Sequence, residues 1–565
     1  MTHPRRILAL MIAAFALTLF FGLSYKLAMW GQGYDQIDYQ QSIWNTTQGR
    51  FLAISHYRHT ESLWGMDFIP AILLVVPLYA IAPSALTLNA LQALLMGLGA
   101  LPLYVAASDR FGSRRAGLAW AAVYLLYPSV WYVTMSAPWQ PRTLAISALI
   151  GAFALLQRRR LGIAIGTRGY VGFLLLLLIA LATRTDTSLV VFAFGLLALV
   201  WRASLRWWLP PLLLGTGWFA LSTSLVVPSF YTPEYRALLA GGGLLADWKP
   251  FTVLDYSQAW PGPSPQLAYY LHLGRSAREI VQTIITHPIE VLQLVLTGPK
   301  LTYVLLMLLP LALLPLLAPD VLLLAMPPMV MNLLANRPYQ ITVREQYQAL
   351  LIPGLLLAAM VGGWRLLRWV RARGQEVGSS QNRVGSSQNR VGSNQKTLRP
   401  RVGKLRGFAA SPHTIAAALL IAVCLGCNLV YRNPVLSAVR YAEPPERVAA
   451  MRRLAALIPP DAPLGATSFL APNMMPRQFI YYVPGDASFP PLERAQYLFL
   501  DTNAAAFATP RARTFLADLR TSPGWQIVAE EQGLVVFRRI ASSRANHPQI
   551  SKDRHRYPAV LAAHL

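Results

Sequence analysis

Long apolar runs separated by short polar segments fill most of the chain between residues 7 and 430. Apolar runs of about 17 to 25 residues are typical of helices that cross a membrane, so the pattern predicts an α-helical polytopic membrane protein. Several runs are shorter than a bilayer of roughly 30 Å requires, and the predicted number of spans therefore holds to within one pair. About eleven transmembrane helices are predicted, at 7–23, 84–107, 116–133, 142–156, 169–183, 187–201, 207–226, 299–317, 320–334, 349–364 and 412–430.

One further apolar run, at 68–82, is short and contains Pro70 and Pro77. Such a run is typical of a re-entrant or interfacial segment, and its status decides the side on which every later loop lies. The basic segment Met1 to Arg6 predicts a cytoplasmic N-terminus. If the run 68–82 does not span, the later basic loops also follow the positive-inside tendency. We also expect the run 7–23 to be a retained anchor, since no small-residue cleavage site follows it. The basic segments placed in the cytoplasm are 109–115, 158–168, 202–206 and 365–406.

Composition changes along the chain predict five regions. VGSSQNR at 377–383 is repeated at 384–390, within a polar and basic stretch typical of a flexible tether. Alternating strand-like runs follow after residue 431 and predict a small α/β module. The regions are a transmembrane domain at 1–364 with outer loops at 24–83 and 228–298, a cytoplasmic linker at 365–410, a last transmembrane helix at 411–431, an extracytoplasmic α/β domain at 432–540, and a disordered tail at 541–565. The predicted strands are 464–468, 478–483, 496–501, 525–529 and 534–539.

The first polar stretch after the opening apolar run is GQGYDQIDYQQSIWNTTQGR, at 31–50. If it is helical, Asp35, Asp38, Ser42 and Asn45 share one face. We therefore expect a helix that lies along the outer membrane surface and presents carboxylates to its neighbours. The alternative is a polar loop whose acids are simply solvated.

Charge and cysteine content narrow the class further. The chain is 55% hydrophobic and 13% charged, and its 50 basic against 24 acidic residues give a net charge of +26. The basic residues cluster between apolar runs, which favours membrane orientation over nucleic-acid binding. Cys424 and Cys427 lie inside the last apolar run, where a pair of small packing residues is the expected role rather than a redox or metal site.

With this topology, unusual polar residues converge on the outer side of the membrane. Arginine there opposes the orientation rule, and binding of an anionic lipid headgroup would explain it, because guanidinium groups pair with phosphate in a bidentate manner. The alternative is local ion pairing, of Arg184 with Asp186 and of Arg344 with Glu345. The set comprises Asp35, Asp38, His56, His59, Glu61, Asp67, Gln140, Arg142, Arg184, Asp186, Lys249, His272, Arg337, Arg344 and Glu345.

Several segments carry a family resemblance. They are GYDQIDYQQSIWNTTQGRF at 33–51, the run 67–107 that begins DFIPAILL, RTDTSLVVFAFGL at 184–196, REQYQALLIPGLLLAA at 344–359, the run 459–483 that ends RQFIYYV, and QYLFLDT at 496–502. Together they resemble a bacterial family of predicted membrane proteins, domain-of-unknown-function family 2079. That family in turn resembles the GT-C superfamily of integral-membrane glycosyltransferases, which take sugars from polyprenyl-phosphate donors.

The resemblance implies a GT-C-like fold whose first outer loop carries an acidic residue, here Asp35. Histidine is frequent in the family where this chain has Asp67 and Gln140, so any role of those histidines is absent or altered here. A sugar on a lipid phosphate already has a stable leaving group, and the reaction then needs a base for the acceptor hydroxyl and cations for the phosphate. Asp35 is the predicted base, and Asp38 a second acid or a ligand of a divalent metal ion, the one cofactor considered.

The predicted function is transfer of a sugar from a polyprenyl-phosphate donor at the outer face of the cytoplasmic membrane. A lipid or solute transporter or flippase and a non-catalytic scaffold are the alternatives. The expected partners are the polyprenyl-phosphate-linked sugar and membrane lipid, without nucleic acid. The phosphate and substrate candidates are Arg184, Arg337, Arg344, Arg142, Asp186, Gln140 and Asp67.

Overall fold

The computed structural model of the protein describes residues 3–33, 35–137, 139–240, 251, 267–388, 412–440, 442–483 and 494–540. The first helices are α1 (His3–Ala28), α2 (Asp35–Thr47), α3 (Val76–Ile81), α4 (Ala85–Leu98), α5 (Ala100–Phe111), α6 (Arg114–Leu126), α7 (Pro128–Ser136), α8 (Arg142–Arg160), α9 (Thr167–Leu181) and α10 (Thr187–Val200). The next are α11 (Leu205–Leu221), α12 (Val227–Ser229), α13 (Pro233–Ala240), α14 (Ala277–Thr286), α15 (Pro288–Val295), α16 (Gly298–Leu308), α17 (Pro319–Leu322), α18 (Met326–Leu334), α19 (Leu351–Gln388), α20 (Pro412–Val430) and α21 (Pro434–Arg440).

Fewer helices than predicted are long and apolar enough to cross a membrane. Within the described ranges there are five, or up to seven if each of two bent helix pairs counts as one span, so the predicted eleven are not confirmed. The bends are 42° between α6 and α7 and 62° between α15 and α16. Proline explains the breaks, since it cannot donate the backbone hydrogen bond that continues a helix. Proline residues likewise divide the predicted spans 299–317 and 320–334 into short helical pieces.

The run at 68–82 forms a short 3₁₀ turn, Pro70–Leu74, followed by α3. These twelve or so residues are fewer than the about 20 that a membrane-spanning helix needs.

Three helices, α8, α10 and α19, begin at the same end of the helix bundle and extend toward its opposite end. Asp186, directly before α10, is 2.6 Å from Arg142 at the start of α8. At the far ends of the same helices, Trp201 and Arg160 both contact Asp320, and Arg365 of α19 contacts it too. We call these the Asp186 end and the Asp320 end. The 19 residues of α8 place the two ends roughly 28 Å apart, close to the apolar thickness of a bilayer.

The C-terminal region folds into a five-stranded mixed sheet, as the strand pattern predicts. Its strands are β1 (Leu464–Ala466), β2 (Ile480–Tyr482), β3 (Tyr497–Asp501), β4 (Trp525–Glu531) and β5 (Leu534–Arg539), in the order β2-β1-β3-β5-β4. β1 lies parallel to β2 and β3, whereas β5 is antiparallel to β3 and β4. Helices α22 (Pro445–Ala455) and α23 (Pro510–Thr521) cover it. β2 is therefore an edge strand, with its second side turned away from the sheet.

The helix predicted at 31–50 is present as α2, but it does not lie on an open surface. Ile37 packs into the core of the C-terminal domain, while Tyr39 and Ile43 pack into a separate apolar cluster with the first loop. The alternative of a polar loop is therefore excluded at Asp35–Thr47, whereas the position of this helix along the outer membrane surface stays a prediction. Its polar residues Ser42 and Asn45 are buried and hydrogen-bond to protein carbonyls.

Two other predicted regions are altered or lie outside the described residues. α19 continues to Gln388, so the first part of the predicted linker 365–410 is helical, in keeping with its arginine, glutamine and glutamate residues, which favour helices. Residues 389–411, most of the loop 241–266 with Lys249, and the tail 541–565 lie outside the described residues.

Candidate functional site

Two arginines and two aspartates form a buried ion-pair cluster at the Asp186 end. Arg142 Nη2 lies 2.6 Å from Asp186 Oδ2, and Arg184 Nε lies 2.7 Å from Asp67 Oδ2 and 3.5 Å from Asp186 Oδ2. The side chains of Arg142 and Asp67 are only 5% and 6% exposed. The structure thus brings together four of the predicted substrate-binding residues. Arg184 contacts two carboxylates, and its contact with the neighbouring Asp186 is longer than its contact with Asp67.

The start of α10 fixes the position of Asp67. The backbone N–H and the hydroxyl of Thr185 both donate to Asp67 Oδ1, at 3.0 and 2.5 Å. A helix start favours negative charge, because its first N–H groups lack partners within the helix. Burial raises the pKa of the Asp67 carboxyl, and Arg184 beside it opposes that shift.

The second predicted acid, Asp38, is held by residues of the first loop. His56 Nε2 lies 2.5 Å from Asp38 Oδ1, and the Tyr57 hydroxyl donates to Asp38 Oδ2 at 3.1 Å. His56 is fully buried, whereas the Asp38 side chain remains 17% exposed. Asp35 is the first residue of α2, but its side chain lies outside the described part of the structure, and its role as base stays a prediction.

Tyr39 connects α2 to the ion-pair cluster. Burial raises the pKa of its hydroxyl to about 12, and four charged side chains act on the same group. Arg184 and Arg142 lower this pKa, whereas Asp38 and Asp67 raise it. One tyrosine hydroxyl is thus within electrostatic reach of both the α2 carboxylate and the arginines at the starts of α8 and α10.

Arg337 packs against three tyrosine rings close to the ion-pair cluster. Its guanidinium carbon is 4.6 Å from the ring centre of Tyr269, 5.6 Å from that of Tyr347 and 5.9 Å from that of Tyr339. Its Nη1 also donates a hydrogen bond to the Tyr269 hydroxyl. Tyr347 in turn interacts with Arg184. Tyr347 therefore interacts with both Arg337 and Arg184.

A small cavity opens between these groups. Its volume is about 30 Å³, enough for one or two water molecules. It is lined by Arg142, Asp186, Tyr270, Pro328, Met331, Asn332, Gln340, Tyr347 and Leu350.

Two further predicted residues lie at the margin. The Gln140 backbone N–H donates to Gln92 Oε1 at 3.1 Å, which fixes the turn before α8. Arg344 hydrogen-bonds to Tyr132 of α7, and Glu345 interacts with Lys26 of α1. Arg344 and Glu345 thus each have a partner on a different helix, and their mutual pairing stays an alternative.

His59 is buried next to the Asp38 contacts, among the rings of Tyr57, Tyr231 and Tyr235. Burial lowers the pKa of its imidazole to about 3, and the neighbouring His56 adds to the shift. Sequence reasoning placed both histidines on the outer side without a role. It missed Tyr39, Tyr347 and Thr185 altogether, although each is adjacent to, or within three residues of, a charged residue that it named.

Metal-type ligands are sparse at the site. Within the described ranges no group of three or more histidine, cysteine, aspartate or glutamate side chains is placed to hold a metal ion. His56 is in contact with Asp38, and a divalent ion at Asp38 stays a prediction.

A larger cavity, of about 230 Å³, lies in the C-terminal domain. Its walls come from residues 502–505, from Phe507 and Ala508, and from Arg513 and Leu516 of α23. None of the predicted site residues contributes to it, and the converging charges lie at the smaller cavity instead.

The solved structures to which this chain is similar include two of ArnT from Cupriavidus metallidurans. The crystal structure bound to undecaprenyl phosphate is 14% identical, with a TM-score of 0.45, and the match covers 95% of this chain and 99% of that chain. The crystal structure in the apo state is 15% identical, with a TM-score of 0.47 and the same coverage. No curated protein sequence matches the chain.

The profile of one family matches residues 26–536, nearly the whole length of the chain. Its description is "Predicted membrane protein (DUF2079)". The match includes α2, the ion-pair cluster, Arg337 and the C-terminal sheet. The protein belongs to the DUF2079 family of predicted membrane proteins.

Proposed function

We propose that this protein is an integral-membrane glycosyltransferase that takes a sugar from a polyprenyl-phosphate donor at the outer face of the cytoplasmic membrane. The observation that carries the proposal is the ion-pair cluster at the starts of α8 and α10, where Arg142 pairs with Asp186 and Arg184 with Asp67. The α2 carboxylate of Asp38 is held by His56 in the adjoining first loop, at 2.5 Å. A scaffold would have no need to gather these charges. Sugar transfer needs a base that accepts the proton of the acceptor hydroxyl and cations that bind the donor phosphate.

The Asp186 end suits a phosphate group for two physical reasons. α8, α10 and α19 all begin there, and helix starts attract anions through their unpaired N–H groups. Arg142 and Arg184 are held in place by Asp186 and Asp67, so their guanidinium groups are already ordered before a donor binds. Ordered cations stabilise the negative charge that develops on the leaving phosphate without further reorganisation.

The roles of the residues follow from this geometry. Asp35 or Asp38 accepts the proton of the acceptor hydroxyl, while Arg142, Arg184 and Arg337 hold the donor phosphate. The sugar–phosphate bond breaks, the acceptor oxygen bonds to the sugar carbon, and polyprenyl phosphate leaves as the product. The cavity of about 30 Å³ is smaller than a sugar, so donor binding requires Tyr270 and Tyr347 in its wall to move.

A transporter or flippase is the second candidate, and it would place polar groups near the middle of the spans. The cluster instead lies at helix starts, since Arg142 is the first residue of α8 and Asp186 directly precedes α10. That placement supports an enzyme site at the membrane surface over a path through it.

Turnover in liposomes tests the proposal. The full chain is reconstituted with polyprenyl-phosphate-linked glucose or mannose, and release of polyprenyl phosphate is measured. We expect Asp35→Asn or Asp38→Asn to abolish release and Arg142→Gln to lower it on the order of 10- to 100-fold, the value of one charged hydrogen bond. Arg158→Gln is the matched control, because Arg158 is at the other end of α8 and pairs with Asp109 at the same 2.6 Å. Normal turnover in both aspartate variants would contradict the proposed mechanism.

The proposed orientation has its own test. Glu61→Cys and Arg168→Cys are each made in a chain in which Cys424 and Cys427 are replaced by alanine. Glu61 and Arg168 are exposed and lie near the Asp186 and Asp320 ends, respectively. In intact cells, a membrane-impermeant thiol reagent should label the first and spare the second. The reverse pattern would place the cluster in the cytoplasm and contradict the proposal.

A further inference from the structure

The edge strand of the C-terminal sheet is completed by side chains of the first loop. In a β-strand, successive residues point their backbone groups to opposite sides. Phe479 accepts from Leu464 of β1, so Ile480 directs its N–H and C=O away from the sheet. The Ser55 hydroxyl meets both groups: it accepts from Ile480 N at 2.9 Å and donates to Ile480 O at 2.7 Å. Ser55 thus occupies the place of a neighbouring strand.

Gln41 of α2 forms hydrogen bonds both to Ser55 and to the backbone of the edge strand region. Its Nε2 donates to Ser55 Oγ at 2.8 Å and to Gln478 O at 2.7 Å, and its Oε1 accepts from Ser55 N at 3.2 Å. A serine hydroxyl has one donor and two acceptor positions, and all three are used here. Gln41 and Ser55 are buried, so each lost bond would leave polar groups without water. We call these two residues with Gln478 and Ile480 the Gln41–Ser55 clamp.

The clamp is one residue away from the carboxylate contacts. Gln41 follows Asp38 by three positions and therefore lies on the same side of α2. His56, which holds Asp38 at 2.5 Å, directly follows Ser55. Ile37, on the same helix, is fully buried in the core of the C-terminal domain. A displacement of β2 would therefore move α2 and the His56 contact together.

We propose that the C-terminal domain is a positioning element for the carboxylates of α2, and that Ser55 and Gln41 are the residues through which it acts. This inference rests on the proposed function. Arg142 and Arg184 lie at the starts of the bundle helices α8 and α10, where they pair with Asp186 and Asp67 and not with residues of the clamp. Loss of the clamp should therefore impair the chemical step while leaving donor binding intact.

Three variants separate this role from general stability. Ser55→Ala removes the hydroxyl, and Ser55→Thr retains it. Arg494→Gln breaks another contact between the same two regions, an exposed pair with Glu61 at 3.3 Å that lies outside the clamp. We expect Ser55→Ala to lower kcat on the order of 10²-fold, the effect of about 1 Å of misplacement. KM should stay unchanged, Ser55→Thr should restore much of the rate, and Arg494→Gln should match the wild type.

A measurement independent of turnover completes the test. Hydrogen exchange of the full chain in detergent reports on residues 478–482 and on α2. We expect faster exchange in both segments for Ser55→Ala and wild-type exchange for Arg494→Gln. Unchanged exchange in α2 would overturn the inference even if the wild type transferred no sugar. Faster exchange in α2 of Ser55→Ala together with an unchanged kcat would also overturn the inference. If the wild type shows no turnover but Ser55→Ala still exchanges faster in α2, only the proposed function is refuted.

Discussion

The two ends of α8 carry the same ion pair in different surroundings. Arg142 and Asp186 at one end, and Arg158 and Asp109 at the other, are each 2.6 Å apart. The Arg142 side chain is 5% exposed, whereas that of Arg158 is 36% exposed. Exposed pairs contribute little to stability, while a buried pair costs desolvation and is strongly destabilised when one partner is lost. Burying the charges at the Asp186 end therefore costs desolvation free energy, and a contribution to folding stability alone does not explain why they are buried there.

The aromatic neighbours differ in the same way. At the Asp320 end arginines stack on tryptophans, with Arg160 at 4.3 Å from Trp201 and Arg110 at 4.7 Å from Trp364. Such pairs are typical of a membrane interface, where tryptophan and arginine hold the protein at its depth. At the Asp186 end Arg337 lies on tyrosines, whose hydroxyl groups can bind a polar ligand. One end has the features of an interface and the other those of a binding site.

The largest expected difference between the ends is in stability. Arg184→Met leaves Asp67 buried without its cation, and we expect the free energy of unfolding to fall by about 3–5 kcal/mol. Arg158→Met should cost about 1 kcal/mol or less, because its pair is partly exposed. Denaturation by titrated detergent measures both.

The double variant Arg184→Met with Asp67→Leu serves as the control. Removing both charges should recover most of the loss, since no unpaired charge remains buried. Equal losses for Arg184→Met and Arg158→Met would mean that the two ends are energetically alike, and the comparison would fail.

The next effect concerns ligand binding. Arg337→Gln should weaken binding of undecaprenyl phosphate on the order of 10- to 100-fold, because one charged hydrogen bond to phosphate contributes about 1.5–3 kcal/mol. Arg368→Gln is the matched control, since Arg368 also lies over a ring, 4.8 Å from that of Trp364, but at the Asp320 end. Native mass spectrometry of both variants with undecaprenyl phosphate and with undecaprenol measures the difference. Equal loss for the uncharged undecaprenol would assign Arg337 to lipid packing and not to phosphate.

A third effect is a loss of stability in acid that begins at the Asp186 end. Burial lowers the pKa of His59 to about 3, and burial with Lys300 nearby lowers that of His272 to about 4. The unfolded chain takes up these protons near the ordinary pKa of about 6.5, so between that pH and the folded pKa the unfolded state binds more protons. Stability is thus complete above about pH 6.5 and decreases as the pH falls, by up to about 1.4 kcal/mol per unit for each histidine.

Hydrogen exchange between pH 7 and pH 5, corrected for the intrinsic rate, checks this. Residues 51–66 should lose protection first, and residues 157–166 at the Asp320 end should change less. His59→Gln should flatten the acid slope of the unfolding free energy. An unchanged slope in that variant would show that His59 does not titrate on unfolding.

The sequence predicted the membrane class and the small C-terminal sheet, whereas the side of the membrane on which the polar residues lie stays a prediction. Apolar runs and basic loops gave the membrane class, and alternation gave the five C-terminal strands, because both patterns are local. The eleven predicted spans are not confirmed, and the described helices are interrupted where proline breaks an apolar run, as at Pro310 and Pro315. An apolar run does not reveal whether its helix continues.

The partners within the site were harder to predict. The sequence suggested that Arg184 pairs with its neighbour Asp186, yet its shorter contact is with Asp67 in a distant loop. It also could not show what α2 and the first loop contact, because partners such as Gln478 and Ile480 come from the far end of the chain. Charge and periodicity show which residues need partners, but only the packing of remote segments decides which partners they find.

The smallest expected effect is at the Asp320 carboxylate, which three side chains share. Arg365 donates to both of its oxygens at 2.8 Å, and Trp201 donates at 2.9 Å. Arg160 is the most distant, at 3.2 Å, and its side chain is 40% exposed. Arg160→Gln should therefore cost less than about 1 kcal/mol of unfolding free energy, because the remaining donors keep Asp320 satisfied. It should also leave undecaprenyl phosphate binding unchanged, and weaker binding in this variant would place a second phosphate contact at the Asp320 end and remove the distinction between the two ends.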